Sequence, residues 1–169
     1  MEPEDAASQE GELSSRAPTE EDLVNLCRVL NQLGARYLIV GGFAVMYSGY
    51  ARTTMDVDLL MSVDPQNEAR VFQALATLPD KAVLELKPGE VSEYTVVRVA
   101  DEITIDLMQS ASGINYEEAA KDIVIRRVQD VDIPFASPRL LWRMKKNTYR
   151  EKDLPDLLFL RQQYPEVVD

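Results

Sequence analysis

Apolar residues recur at helical spacing in "PTEEDLVNLCRVLNQLGARY", where Leu23, Leu26, Cys27, Leu30 and Leu33 form one stripe. Thr19 is placed to cap that helix, Glu20, Glu21 and Asp22 complement its first-turn dipole, and Gly34 ends it. The pattern then shortens. "YLIV" is a buried strand that meets Gly41-Gly42, and "FAVMYSGY" suits a short helix. "MDVDLLMSV" reads as a second strand. "DPQNEARVFQALATLP" reads as a helix with Asp64 as cap and Pro65 at its first position. "KAVLELK", "EYTVVRVA" and "ITIDLMQ" are strands parted by "PGE" and "DE" turns, "NYEEAAKD" is a short helix, and "IVIRRVQ" with "DIPFA" forms a peripheral hairpin. Ser137-Pro138 opens a helix to about 147, and a last helix runs from about 153 to 164. This order predicts an α/β fold of the α+β kind, with a mixed sheet, helices packed on it and a C-terminal helical pair.

Residues 1–17 are acidic, small and nearly free of large apolar groups. They are expected to be a disordered tail, leaving 18–169 as a single domain. At 169 residues and 46% hydrophobic, the chain can bury one ordinary core. The net charge of -11 speaks against a general nucleic-acid surface. Seven acids against one arginine in the first 21 residues supply part of that excess. A local basic face remains open to Arg126, Arg127, Arg139, Arg143, Lys145, Lys146 and Arg150. The absence of histidine removes imidazole acid–base chemistry and ordinary zinc sites. The lone Cys27 falls on the apolar helix face, which makes it a core residue. No apolar run has the length of a membrane span, and acids follow Met1. The expectation is a cytoplasmic protein with no membrane partner.

Strand alternation aims Asp56 and Asp58 at one face while Val57, Leu59 and Met61 take the other. Two carboxylates so close repel unless a cation lies between them, and a hard divalent ion such as magnesium fits oxygen donors best. By itself the pair carries little weight and reads first as a solvated edge with two harmless acids. Two further features point to a site. Gly41-Gly42 stands between a strand and a helix, where backbone can approach an anion. Asp106 interrupts the otherwise apolar "ITIDLMQ", where a buried carboxylate costs several kcal/mol unless paired or bound to metal. A glycine turn for phosphates, two acids for metals and a third acid on a neighbouring strand suit phosphoryl chemistry.

These residues resemble the signature of nucleotidyltransferases in the DNA polymerase beta-like superfamily. Within it, the chain is most similar to small bacterial proteins related to abortive-infection toxin nucleotidyltransferases. Gly41, Gly42, Ala44, Gly49, Arg52, Thr54, Asp56 and Asp58 fall in register with that group's first motif. Ser137-Pro138, Lys145, Arg150, Lys152, Asp153, Asp156 and Leu157 follow its softer C-terminal motif. The resemblance covers about residues 20 to 160 and implies the nucleotidyltransferase fold.

It further implies transfer of a nucleoside monophosphate from a nucleoside triphosphate to a hydroxyl, with two magnesium ions. Asp56, Asp58 and Asp106 would be the catalytic and metal-binding acids. Gly41, Gly42, Arg52, Thr54, Lys145 and Lys152 would lie at the nucleotide, with Arg52 either on phosphate or paired to the acids. Gly42 stands where many members have serine. The acceptor implied is a protein, a tRNA or a small molecule, nucleic acid entering only as tRNA. The alternatives are a toxin–antitoxin component that mainly binds its cognate toxin or antitoxin, and a non-catalytic relative.

Overall fold

The computed structural model describes residues 15–168. Helix α1, Glu20–Gln32, starts at a reciprocal cap between Thr19 and Asp22 and buries Leu23, Val24, Leu26, Cys27 and Leu30. Strand β1, Tyr37–Val40, is buried at every residue and leads directly into α2, Gly41–Tyr47. Strand β2, Asp56–Met61, follows, and then α3, Pro65–Leu75, which is capped by Asp64. A one-turn helix α4, Glu90–Glu93, precedes β3, Val96–Ala100, and β4, Thr104–Met108. A small ribbon of β5, Ser110–Ala111, and β6, Ile114–Asn115, leads to α5, Tyr116–Ala119. Strands β7, Ile123–Val128, and β8, Val131–Ala136, are followed by α6, Pro138–Lys145, and α7, Leu154–Gln163.

Six strands form one mixed sheet in the order β3-β4-β2-β1-β8-β7. β2 runs antiparallel to β1 and parallel to β4, with Asp58 opposite Asp106. β3 returns antiparallel along β4, which sets Arg98 opposite Asp106 on the other side. Alternation buries Val57, Leu59, Ile105 and Leu107 in the core and turns the acids away from it. The C-terminal pair α6 and α7 packs together, and α6 also meets α2.

The structure departs from the sequence expectations at three places. "KAVLELK" is no strand: residues Ala82–Glu85 form a 3₁₀ turn. The carboxylate of fully buried Asp101 accepts the amides of Asp80 and Ala82 at 2.9 Å each, which curls this segment. The β7–β8 hairpin is not peripheral, because β8 pairs in parallel with β1 and completes the main sheet. Of the tail expected over 1–17, residues 1–14 lie outside the described residues. Ser15 and Arg16 are docked: the Ser15 hydroxyl donates to Asp101 O at 2.7 Å, and Arg16 bridges to Ile103.

Candidate active site

Asp56, Asp58 and Asp106 each bring one carboxylate oxygen within 4.8 Å of the others. Strand register does this: β2 and β4 are adjacent and parallel, so residues 58 and 106 are side by side and residue 56 follows on the same face. Three hard oxygen donors at that separation suit a magnesium-like cation, so the donor set fits the ion that the sequence resemblance implies. The strand pairing foreseen for Asp106 is the one observed.

Burial pushes the Asp58 carboxyl up to about 7, helped by the charges of Asp56 and Asp106 and opposed by Lys145 and Lys152. Asp56 is raised as well, by burial and then by Asp106, with Arg98 opposing. Excess negative charge is thus concentrated at the place where the donors converge.

Gly41 and Gly42 make the close approach around these acids. Gly41 has φ +68, and a Cβ there would fall 1.9 Å from Asp58 Oδ2. Glycine at 41 is therefore required by the acid itself, beyond any room it leaves for phosphate. A Cβ on Gly42 would fall 2.5 Å from the Thr54 Oγ1, so the Thr54 hydroxyl fills the space a serine at 42 would take. That hydroxyl donates to Asp56 O at 3.1 Å, tying the turn to the start of β2.

The facing wall comes from α6 and α7. Lys145 is buried, and its Nζ donates to Asp153 at 2.9 Å and lies 3.3 Å from Asp156. Arg52 reaches Asp156 at 2.6 Å, so its ion-pair partner is an acid of α7, not Asp56 or Asp58. Arg150 and the Thr148 hydroxyl both donate to Asp153 Oδ2, at 2.8 and 2.6 Å. Lys145 thus lies in the cleft with its charge already shared, as a strut between the two helices. Lys152, exposed, lines the same cleft with no ion-pair partner within 4.0 Å among the described residues. Asp156, four residues beyond Lys152, is paired with Arg52 and Lys145 instead.

All nine residues assigned to the site from sequence (Gly41, Gly42, Arg52, Thr54, Asp56, Asp58, Asp106, Lys145 and Lys152) line one cleft of about 570 Å³. Sequence reasoning missed Arg98, which also lines it and grips Asp106. The signal was present: "ADEI" closes a hairpin, and counting equally from Glu102 sets position 98 opposite 106. It also missed an apolar end formed by Met108, Ala111, Leu141 and Met144. Four of the seven cations of the basic face left open by the sequence are in ion pairs. Arg127 pairs with Asp132, Arg143 with Glu118, and Lys145 and Arg150 with Asp153.

No family model matches the chain, and no curated protein matches it. Solved structures do. The lincosamide antibiotic adenylyltransferase LnuA, solved with lincomycin bound, superposes with TM-score 0.56 at 17% identity, covering 87% of this chain and 99% of that one. An antigenic nucleotidyltransferase-like protein from Paracoccidioides brasiliensis gives 0.53 at 16% identity, over 90% of this chain and 78% of its own. A candidate nucleotidyltransferase from Thermotoga maritima gives 0.52 at 14% identity, over 86% and 94%. With its mixed sheet carrying acids on two adjacent parallel strands, this chain has the nucleotidyltransferase fold.

Proposed function

We propose that the protein is a magnesium-dependent nucleotidyltransferase that moves a nucleoside monophosphate from a nucleoside triphosphate to a hydroxyl acceptor and releases pyrophosphate. The observation that carries this reading is the three-carboxylate cluster at the foot of the glycine turn, in a cleft that also holds Arg52 and Lys152. Asp56 and Asp58 would hold two ions, and Asp106 one of them. Bound there, magnesium would supply the positive charge that balances the triphosphate. The Gly42 amide would face the phosphates with Lys152 above them, while Thr54, its hydroxyl proton held by Asp56 O, positions the turn. Asp106 orients the acceptor hydroxyl and takes its proton. The acceptor oxygen forms a bond to the α-phosphorus as the α–β bridging bond breaks, and pyrophosphate leaves with that electron pair.

The net charge of -11, together with the ion pairs of Arg127, Arg143, Lys145 and Arg150, favours a small-molecule or protein hydroxyl over tRNA. The lincomycin-bound fold neighbour supports the small-molecule branch. No described helix is long and apolar enough to cross a membrane. Calorimetry tests the reading. Nucleoside triphosphate should bind in magnesium and bind much more weakly in chelator; equal affinity in both refutes it.

The toxin–antitoxin alternative draws on one observation. Leu154 and Leu158, 55% and 50% exposed, stand four residues apart on α7. Co-purification with the product of the neighbouring gene, lost on Leu158→Glu, would support it.

A further inference from the structure

Among the described residues, one cation is in ion-pair contact with the acid cluster: Arg98. Its Nε and Nη2 donate to Asp106 Oδ1 and Oδ2 at 2.9 and 3.0 Å, and Nη2 also reaches Asp56 Oδ2 at 3.3 Å. A guanidinium fork held on a carboxylate in this way uses both of its oxygens. Arg98 takes one lone pair on each Asp106 oxygen and one on Asp56 Oδ2, and its charge repels a cation brought to the cluster. Arg98 and a metal ion therefore compete for these carboxylates.

The two sides of this ion pair differ in freedom. The Asp106 side chain is 10% exposed and fixed in the sheet, whereas the Arg98 side chain is 62% exposed. β3 is the edge strand, so no neighbouring strand blocks the path of Arg98 outward. A long side chain on an open edge can change rotamer with no backbone movement. Its alternative partner must be anionic and fork-shaped, and a triphosphate offers that geometry as well as a carboxylate does.

Resting on the reading of the cleft as a metal–triphosphate site, we propose that Arg98 is a place-holding cation. It closes the acids to free divalent ions and leaves them when a triphosphate arrives with its metal. Before loading, it offsets part of the repulsion among Asp56, Asp58 and Asp106. During loading it transfers from Asp106 and Asp56 to phosphate oxygens and vacates the ligands in the same motion. Metal and nucleotide then favour each other's binding, and linkage makes that coupling reciprocal.

The experiment is binding of manganese alone to the full chain, read by the electron paramagnetic resonance of the free ion. Wild type, Arg98→Gln, Asp58→Asn and the double variant are compared without nucleotide. Arg98→Gln should tighten manganese binding by about tenfold or more, the scale of one lost charge-assisted contact. Unchanged or weaker binding overturns the proposal.

Thermal melting gives a second readout that survives a weakened fold. Arg98→Gln should melt below wild type without metal, and manganese should raise its melting temperature by more than it raises that of wild type. An equal or smaller rise overturns the proposal. Asp58→Asn, alone and added to Arg98→Gln, separates the two levels. If the added change leaves manganese binding as it is in Arg98→Gln, the metal site itself is wrong. If Asp58→Asn loses binding while Arg98→Gln gains none, the metal site stands and the place-holding role falls.

Discussion

On the β2–β4 floor of the cleft, burial and the neighbouring charges of Asp56 and Asp106 push the Asp58 carboxyl up to about 7. On the α6–α7 wall, burial pushes Asp153 the same way. There, hydrogen bonds from Thr148, Lys145 and Arg150 more than reverse it, and the carboxyl lies below its ordinary range. The difference is matching charge. Asp153 and Asp156, each 2% exposed, receive Lys145, Arg150 and Arg52 between them. The three floor acids share Arg98 alone, and Asp58 has no ion-pair partner among the described residues. A buried acid whose charge is matched within the chain holds helices together; an unmatched one is poised for a cation from outside.

The largest test of this contrast is Asp58→Asn on the floor. It keeps the shape of the side chain and removes the charge, so nucleotide transfer should fall by about 10⁴-fold, the scale of losing one member of a catalytic set. The fold should be retained, because no partner is orphaned. Single-turnover transfer from an α-labelled triphosphate, followed beside a melting curve, reads both. Retained turnover would make the floor acids structural and erase the contrast.

The wall should respond in the opposite sense. Lys145→Met leaves Asp153 with Arg150 and Asp156 with Arg52, so each acid keeps one cation but loses a buried one. The expected cost is about 3 kcal/mol, toward the low end for breaking a buried ion pair. Urea unfolding should show a lower midpoint with an unchanged slope. A stable Lys145→Met that has lost only triphosphate binding would move Lys145 from strut to phosphate clamp.

Much of the floor was legible from the sequence because short-range rules govern it. Alternation gave Asp56 and Asp58 a shared face, and an acid between Ile105 and Leu107 pointed to a partner. A glycine pair at a strand end marked the turn. The wall was less legible because its pairs are set by how two helices meet. Lys145 is eight residues from Asp153, and Arg52 is 104 from Asp156. No periodicity reports such separations, so Lys145 looked like a free cation. The failed strand at Ala82–Glu85 has the same origin: the distant, buried Asp101 captures its amides, and tertiary context overrides the apolar pattern.

A smaller effect, set by the sign of the Asp58 shift, appears in the pH dependence. The folded carboxyl titrates near 7 and the unfolded one near the ordinary value of 3.8. Between those values the native state binds more protons, so this group makes stability fall as pH rises through the window. Asp58→Asn should therefore stabilise the metal-free protein at pH 8 by of order 2 kcal/mol and make almost no difference near pH 4. Denaturant midpoints at the two pH values measure it. The reverse ordering would mean that Asp58 is held ionised by a cation inside the chain, as Asp153 is.

The smallest expected change in stability, and the finest probe of the wall, is Lys152→Ala. Lys152 lines the cleft, is exposed, and lacks the acid partners that hold Lys145 and Arg150. Its charge is close enough to Asp58 to oppose that residue's upward shift, so it faces the floor across the cleft. An exposed lysine of this kind contributes within about 0.5 kcal/mol to folding, and the melting temperature should hardly move. A flexible ammonium facing bound phosphates gains with each negative charge it meets. Triphosphate affinity in magnesium should therefore fall about tenfold, equivalent to one charge-assisted contact, while monophosphate affinity changes less than about twofold. Equal losses for the two nucleotides would place Lys152 near the α-phosphate or the sugar. No loss for either would leave the wall with structural cations only, and Arg52 would have to give up part of its hold on Asp156 to meet the phosphates.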